Sequence, residues 1–497
     1  MEHEVYDVVV VGGGNAALSA ALSAREHGAN VLVMERAPRE MRGGNSAYTG
    51  GGFRIVHNGT EDIRKIVPDL TDDEIARTDF GCYSAEQFLD DFGRVTQYHT
   101  DPDLAETVVR TSTDTVHWMM KQGVKFRANY GGQAYNVNGR FTFFGGVVTF
   151  INGGGAQLME CLYQAAEKQG IAVMYDARAV ALNRNRAGIT SVSTIIDGEE
   201  KVFATRAVVL ASGGFQANRE WRARYLGPGW DLAKVRGTRF NTGDGIQMAL
   251  DIGAQPYGQW SGCHSVAWER YASDFGDPGH SAYRHSYPYS IMVNAEGKRF
   301  FDEGADFRNL TYAKLGRVVL QQPGSYAWQI FDQQVKHLVR SEYRMRGATK
   351  VQANTLEELA KLMQDVDPEQ FLRTVKEYNA SIKREVEFNP NIKDGRSTVG
   401  LELPKSNWAN TIEQPPFEAF SVGCGITFTF GGLKIDTATH VLDMQDAPIP
   451  GLYAAGELVG GLFYFNYPGS TGLMAGSVFG RIAGRKAAGF AKGATAT

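Results

Sequence analysis

Residues 6–17 read YDVVVVGGGNAA, and this stretch constrains the fold more than any other. The run 6–11 is β-branched without alternation, the pattern of a strand covered on both faces in a parallel sheet. The segment after it fits G-x-G-x-x-A. Gly12 permits a tight turn, Gly14 lets backbone approach a pyrophosphate, and Ala17 lets helix and strand pack closely. Asn15 and Ala16 open a helix expected over 16–27, its positive end directed at phosphates, with Gly28 ending it. A second strand over 30–34 leads into Glu35 and Arg36. Glu35 stands 21 residues after Gly14, where an acid takes ribose hydroxyls. Such an acid favours an adenosine with a free 2′-hydroxyl, which leaves FAD or NAD.

The next residues decide between these two. Gly43, Gly44, Asn45 and Ser46, followed by Gly50, Gly51 and Gly52, form a loop of small residues directly after Glu35. A nicotinamide domain would run on into further βα units, whereas a flavin ring needs room here, so FAD is expected. Further candidate contacts recur downstream. The strand 207–210 (AVVL) runs into ASGGF with Ser212 and Gly213. The turn TGDG places Asp244 at the start of a helix over 246–252, and PGLYAAGE ends a strand on Gly456 and Glu457. Ala179 is counted with these cofactor contacts.

Composition excludes several classes. A chain of 497 residues makes roughly two to three folding units. Lys and Arg number 51 against 55 Asp and Glu, with no basic stripe, which argues against nucleic acid as a partner. No apolar run approaches the roughly 18 residues of a membrane helix, so no membrane partner is expected. The start MEHE is acidic and lacks the pattern of a signal peptide. Cys82, Cys161, Cys263 and Cys424 are far apart and form no metal, haem or iron–sulfur spacing. The expectation is a reduced, cytoplasmic protein without metal, which exchanges electrons with an external acceptor or donor.

GGGNAA with Glu35, then RGGNS, ASGGF, TGDG, PGLYAAGE and the closing FGRIAG, together resemble the flavoprotein family of fumarate reductases and succinate dehydrogenases. That family also contains the 3-ketosteroid dehydrogenases and the tricarballylate dehydrogenases. The resemblance spans nearly the whole chain, and the combination of GGGNAALSAALSAREHGANVLVMERAPREMRGGNS with DEGADFRNLTYAKLGR most resembles the tricarballylate dehydrogenases. It implies an α/β fold: a Rossmann-like FAD-binding domain of the glutathione-reductase type from residues 1–254 and 415–497, with an inserted α+β capping domain at 255–414. It implies noncovalent FAD, since Asn45-Ser46-Ala47 stands where some members carry a flavin-linked histidine. It also implies that the last helix begins at the flavin, so that Gly472 and Leu473 are cofactor contacts and Tyr467 faces the substrate.

The chemistry implied is interconversion of a C–C single bond and a C=C bond next to a carboxylate or ketone. A hydride passes between carbon and flavin N5, and a proton passes between the neighbouring carbon and a protein group. Arg308 in DFRN falls where fumarate reductases have their proton-transferring arginine; the rival reading is ion pairing to Asp302, Glu303 or Asp306. His264 matches a substrate-binding histidine, with a structural histidine as the alternative. Arg284 roughly matches a relay arginine, although Ser281 stands where the relay glutamate would be.

Two departures bear on the substrate. Phe428 replaces a histidine, and Tyr467 replaces an arginine that clamps a carboxylate. Loss of a bidentate clamp disfavours plain fumarate or succinate. Tyr467-Pro468-Gly469 resembles the ketosteroid dehydrogenases, where the tyrosine hydroxyl and a backbone N–H, here that of Thr471, bind a ketone oxygen. The small-molecule substrate is thus a carboxylic acid or a ketone. Convergence of Arg54, Arg140, Arg284, Arg308 and His264 would favour the acid; a lining of Phe428, Phe430, Phe463 and Phe465 would favour the ketone. A noncatalytic flavin-binding electron carrier is the reading from another class.

Overall fold

The computed structural model describes residues 5–277 and 282–493. The acidic start, Ser281 and the last residues of the AKGATAT tail, expected to fray, lie outside them. Strand β1 (Tyr6–Val11), helix α1 (Asn15–Glu26) and strand β2 (Val31–Met34) form the expected βαβ unit. Val8, Val9 and Val10 are fully buried, as a strand covered on both faces requires. The parallel strands run in the order Pro448–Ala454, Glu199–Leu210, β1, β2, Ala172–Met174. Val11 pairs with Leu210 and Met34, and Leu210 with Ala454, so these carboxyl ends stop at one level. The turns that follow therefore open on one crevice, the usual ligand position in such sheets.

The C-terminal helix Thr471–Ala491 lies along α1. A β-carbon on Gly480 would stand 2.4 Å from the Ala16 carbonyl oxygen, and one on Gly484 would stand 2.0 Å from that of Ala20. The glycine stripe at 476, 480 and 484 is thus a packing device that lets two helix backbones touch. Gly472 differs: a β-carbon there meets nothing nearer than the Phe428 ring at 3.7 Å.

A second, six-stranded sheet covers the crevice. Its long strand Phe417–Thr429 pairs with Cys263–Glu269, Ala327–Phe331 and Lys350–Ala353, and Ile291–Val293 extends it. The segment 255–414 supplies four of these strands. Phe417–Thr429 comes from beyond 415 and Lys234–Val235 from before 255, so strands of all three segments share this sheet. The helix Tyr312–Leu320 packs on Cys263–Glu269, with a β-carbon at Gly316 only 2.6 Å from the Val266 nitrogen. Helices Leu356–Leu362 and Pro368–Ser381 share a separate core around Leu359, Phe371 and Tyr378. No helix among the described residues is long and apolar enough to cross a membrane.

Candidate active site

A cavity of about 270 Å³ runs from the ends of β1 and β2 to the underside of the second sheet. At its first end Gly12 has φ +113°, and a β-carbon there would lie 2.4 Å from the Ala211 oxygen. Beside it Gly14 leaves open space, its nearest neighbour being Ser46 Oγ at 3.5 Å. The Asn15 N–H donates to Ser46 Oγ (3.0 Å), and Asn15 Nδ2 donates to the Leu473 carbonyl (2.9 Å). One side chain thereby joins the starts of α1 and the C-terminal helix. The N–H groups of Gly472 and Leu473, in the first helical turn, have no carbonyl within the helix to bond. They line the cavity and bring partial positive charge to it.

Glu35 is buried at the cavity wall, and one carboxylate oxygen accepts the Ala37 N–H at 2.7 Å. Burial holds its carboxyl above the ordinary range. Arg36 Nη1 and Arg178 Nε both donate to Asp244, at 2.8 and 3.0 Å. Of the residues named as cofactor contacts, Ala16, Arg36, Gly44, Asn45, Ser46, Gly51, Gly52, Ala179, Ser212, Gly213, Asp244, Gly456 and Glu457 line the cavity. Gly43 does not: it packs behind the loop, where a β-carbon would meet Met159 at 3.0 Å. Ser212 Oγ and Thr427 Oγ1 are buried in this wall without a hydrogen-bond partner. An open glycine cradle, two helix starts, a buried acid at the end of β2 and orphaned hydroxyls together fit FAD.

The other end gathers Arg308, His264 and Tyr467 with Tyr312, His285, Arg236 and Arg340. Tyr467 and Tyr312 are hydrogen-bonded through their hydroxyls. His264 packs against Tyr467, Phe428 and Tyr312 with ring centroids 4.9, 5.0 and 5.1 Å apart. Neither ring nitrogen of His264 has a hydrogen-bond partner, so it is not a satisfied structural histidine. Burial, and then the Arg236 charge, hold it neutral, well below the usual histidine pKa. Burial, and then Tyr312, push the Tyr467 hydroxyl well above the usual phenol range.

Arg308 donates to the Gly132 carbonyl (3.0 Å) and lies over the Tyr312 ring. The acids near it in sequence are engaged elsewhere: Asp302 with Ser406, Glu303 with Arg299, Asp306 with Arg94. The ion-pair reading of Arg308 therefore fails.

Other expected groups stay out of the cavity. Arg284 is fully buried and donates to Glu269 at 2.7 Å. In that extended stretch Tyr283 and His285 line the cavity and the residue between them faces the opposite way. Arg54 is paired with Asp91, and Arg140 is exposed on a short strand. Phe428 and Phe463 line the cavity, but Phe430 and Phe465 do not. The Thr471 N–H donates to the Pro468 carbonyl (3.2 Å), so it is not free for the expected contact.

The sequence reading missed Tyr312, His285, Arg236 and Arg340. Tyr312 had a signal, since it follows Arg308 by four residues. His285 had none, because nothing in the sequence says which side of that extended stretch faces the cavity. Arg236 and Arg340 had none, because pairings between distant segments bring them in.

The sequence profile of the family described as FAD binding domain matches residues 7–473. The fumarate reductase (cytochrome) of Shewanella frigidimarina is 30% identical over 497 residues, covering 99% of this chain and 78% of that one. The 4-oxocyclohexanecarboxylate 2-dehydrogenase of Sinomonas cyclohexanicum is 29% identical, covering 99% and 95%. The open conformation of a flavocytochrome c3 fumarate reductase superposes with a TM-score of 0.72 at 28% identity, covering 98% of this chain and 79% of that one. The chain belongs to the FAD binding domain family, as an FAD-dependent oxidoreductase acting on CH–CH groups.

Proposed function

We propose that the substrate is a small compound whose reacting carbons lie next to a carbonyl or carboxyl oxygen, held by the hydroxyl pair Tyr467–Tyr312. Bound FAD supplies the hydride exchange at N5. Tyr467 or Tyr312 donates to the substrate oxygen and stabilises the enolate that forms when the neighbouring carbon loses its proton. Arg308 carries that proton to or from the carbon. Its guanidinium already holds a proton, so delivery to the carbon needs no prior change of state, whereas removal from the carbon needs that proton passed on first. His264, Phe428 and Phe463 take the apolar skeleton and exclude water. Segment 255–414 acts as a cap over this end, and an external donor or acceptor exchanges electrons with the flavin.

One observation carries the reading: the Tyr467–Tyr312 pair and Arg308 open on the same cavity as the dinucleotide cradle. The likeness to the Sinomonas cyclohexanicum enzyme, named for a ring that bears both a ketone and a carboxylate, agrees with an oxygen clamp set in aromatic walls. The test is an anaerobic panel of saturated acids, cyclic ketones and keto acids, followed by loss of the oxidised flavin's visible absorbance. Arg308→Lys should abolish bleaching with FAD retained, since lysine lacks the guanidinium's shape and spread charge. Failure of every compound to bleach the flavin, together with failure of every unsaturated counterpart to reoxidise reduced flavin, rejects the proposal.

A further inference from the structure

We propose that Arg236, Arg340 and His285 form an anion subsite under the second sheet, so that the substrate carries a carboxylate set apart from the oxygen held by Tyr467 and Tyr312. This deepens the function proposed above and rests on it for the identity of the reacting end. Arg236 is 8% exposed and lines the cavity. It forms no ion pair with a described carboxylate, and its Nε has no hydrogen-bond partner. Its guanidinium lies over the Tyr283 ring, 5.2 Å from the centroid, which fixes the fork without neutralising it.

A buried cation without a counter-charge costs several kcal/mol as an order of magnitude, so such a group implies an anion that arrives later. Arg340 binds the buried Glu342 through Nε (2.8 Å), which leaves the end of its guanidinium for a ligand. His285 is 5% exposed, and its Nε2 is also without a partner. Burial, followed by the charges of Arg308, Arg236 and Arg340, keeps its imidazole neutral. A histidine repelled by three guanidiniums marks a place where positive charge is gathered.

The acids that line the cavity do not compensate for it. Glu35 and Asp244 lie at the nucleotide end, and burial lifts the Glu457 carboxyl to about 7. A carboxylate seated between Arg236 and Arg340 would meet two guanidinium forks, the geometry that suits it best. A neutral ketone would leave the Arg236 guanidinium without a counter-charge. The subsite therefore selects an acid, while the Tyr467 end selects a carbonyl or carboxyl oxygen. The substrate class is a keto acid or a carboxylic acid with two separated oxygen functions.

The test is calorimetric titration of the FAD-loaded protein with benzoate, with its neutral counterpart benzamide, and with cyclohexanone, none of which needs turnover to be read. Native protein should bind benzoate and discriminate against benzamide. Arg236→Gln should lose roughly 10- to 100-fold in benzoate affinity, the loss expected for a charge-assisted pair. Arg340→Gln, at a partly exposed side chain, is the second variant should Arg236→Gln fold poorly, and it should lose affinity in the same direction. Absence of benzoate binding to native protein, equal binding of benzamide, native-like benzoate affinity in both variants, or loss of FAD from Arg236→Gln each overturns the subsite. Cyclohexanone reports on the Tyr467 end alone. If it fails to bind while benzoate discrimination holds, the carbonyl clamp is wrong and the anion subsite stands.

Discussion

Glu457 should make the stability of this protein depend on pH in a way one substitution removes. Its Oε1 accepts the Thr429 N–H (2.9 Å), and Oε2 accepts from Gln216 Nε2 (3.2 Å) and Asn241 Nδ2 (3.3 Å). These donors favour the carboxylate, yet desolvation outweighs them and raises the group from 4.5 to about 7. The folded protein thus holds a proton that the unfolded chain has released between those values. Stability falls as pH rises through that window, because the folded state binds more protons there. Between about pH 5 and pH 8 the linkage amounts to about 2.5 kcal/mol at most, since the carboxyl faces a cavity that admits water. Unfolding entropy for 497 residues is about 1 kcal/mol per degree, so the swing is roughly 2 °C in Tm. Glu457→Gln keeps the shape and stays neutral. Thermal melts of flavin-stripped native and Glu457→Gln protein across that range should show the native Tm dropping relative to the variant. Parallel pH profiles would refute the reasoning.

Tyr467→Phe should lower kcat by roughly 10²–10³ with a smaller change in KM and an unaltered flavin spectrum, the signature of a lost oxyanion donor; a rise in KM alone would make Tyr467 a binding residue. Gly480→Val, with a β-carbon 2.4 Å from the Ala16 oxygen, should cost about 1–3 kcal/mol and lower flavin retention. A native melting curve would show that the two helices can part at no cost. Heat-denatured protein should release FAD, and not FMN, into the supernatant; yellow colour in the pellet would mean a covalent link.

The nucleotide half was legible because its signals are local. The β1–α1–β2 unit is contiguous, and its turn chemistry depends on a few adjacent residues. The other half depended on tertiary placement. Arg284 and His285 are adjacent, and the extended backbone between Ala282 and Ser286 sends one to Glu269 and the other to the cavity. No pattern within the strand says which parity faces inward. Arg236 follows a two-residue strand paired to Gly425–Ile426, nearly two hundred residues on, so its position depends on a remote partner. Motif matching also assigned Thr471 a free amide, which the Pro468 turn occupies.

The bond from Asn15 to Leu473 spans 458 residues. At the roughly 5–20 residues per second of synthesis, the phosphate turn leaves the ribosome about 20 to 90 s before the helix that completes its site. Through that interval the apolar face of α1 and the small-residue loop after Glu35 have no final cover. FAD can be enclosed only once the Gly476–Gly484 stripe has seated on α1. Cofactor capture therefore waits on the helix Thr471–Ala491.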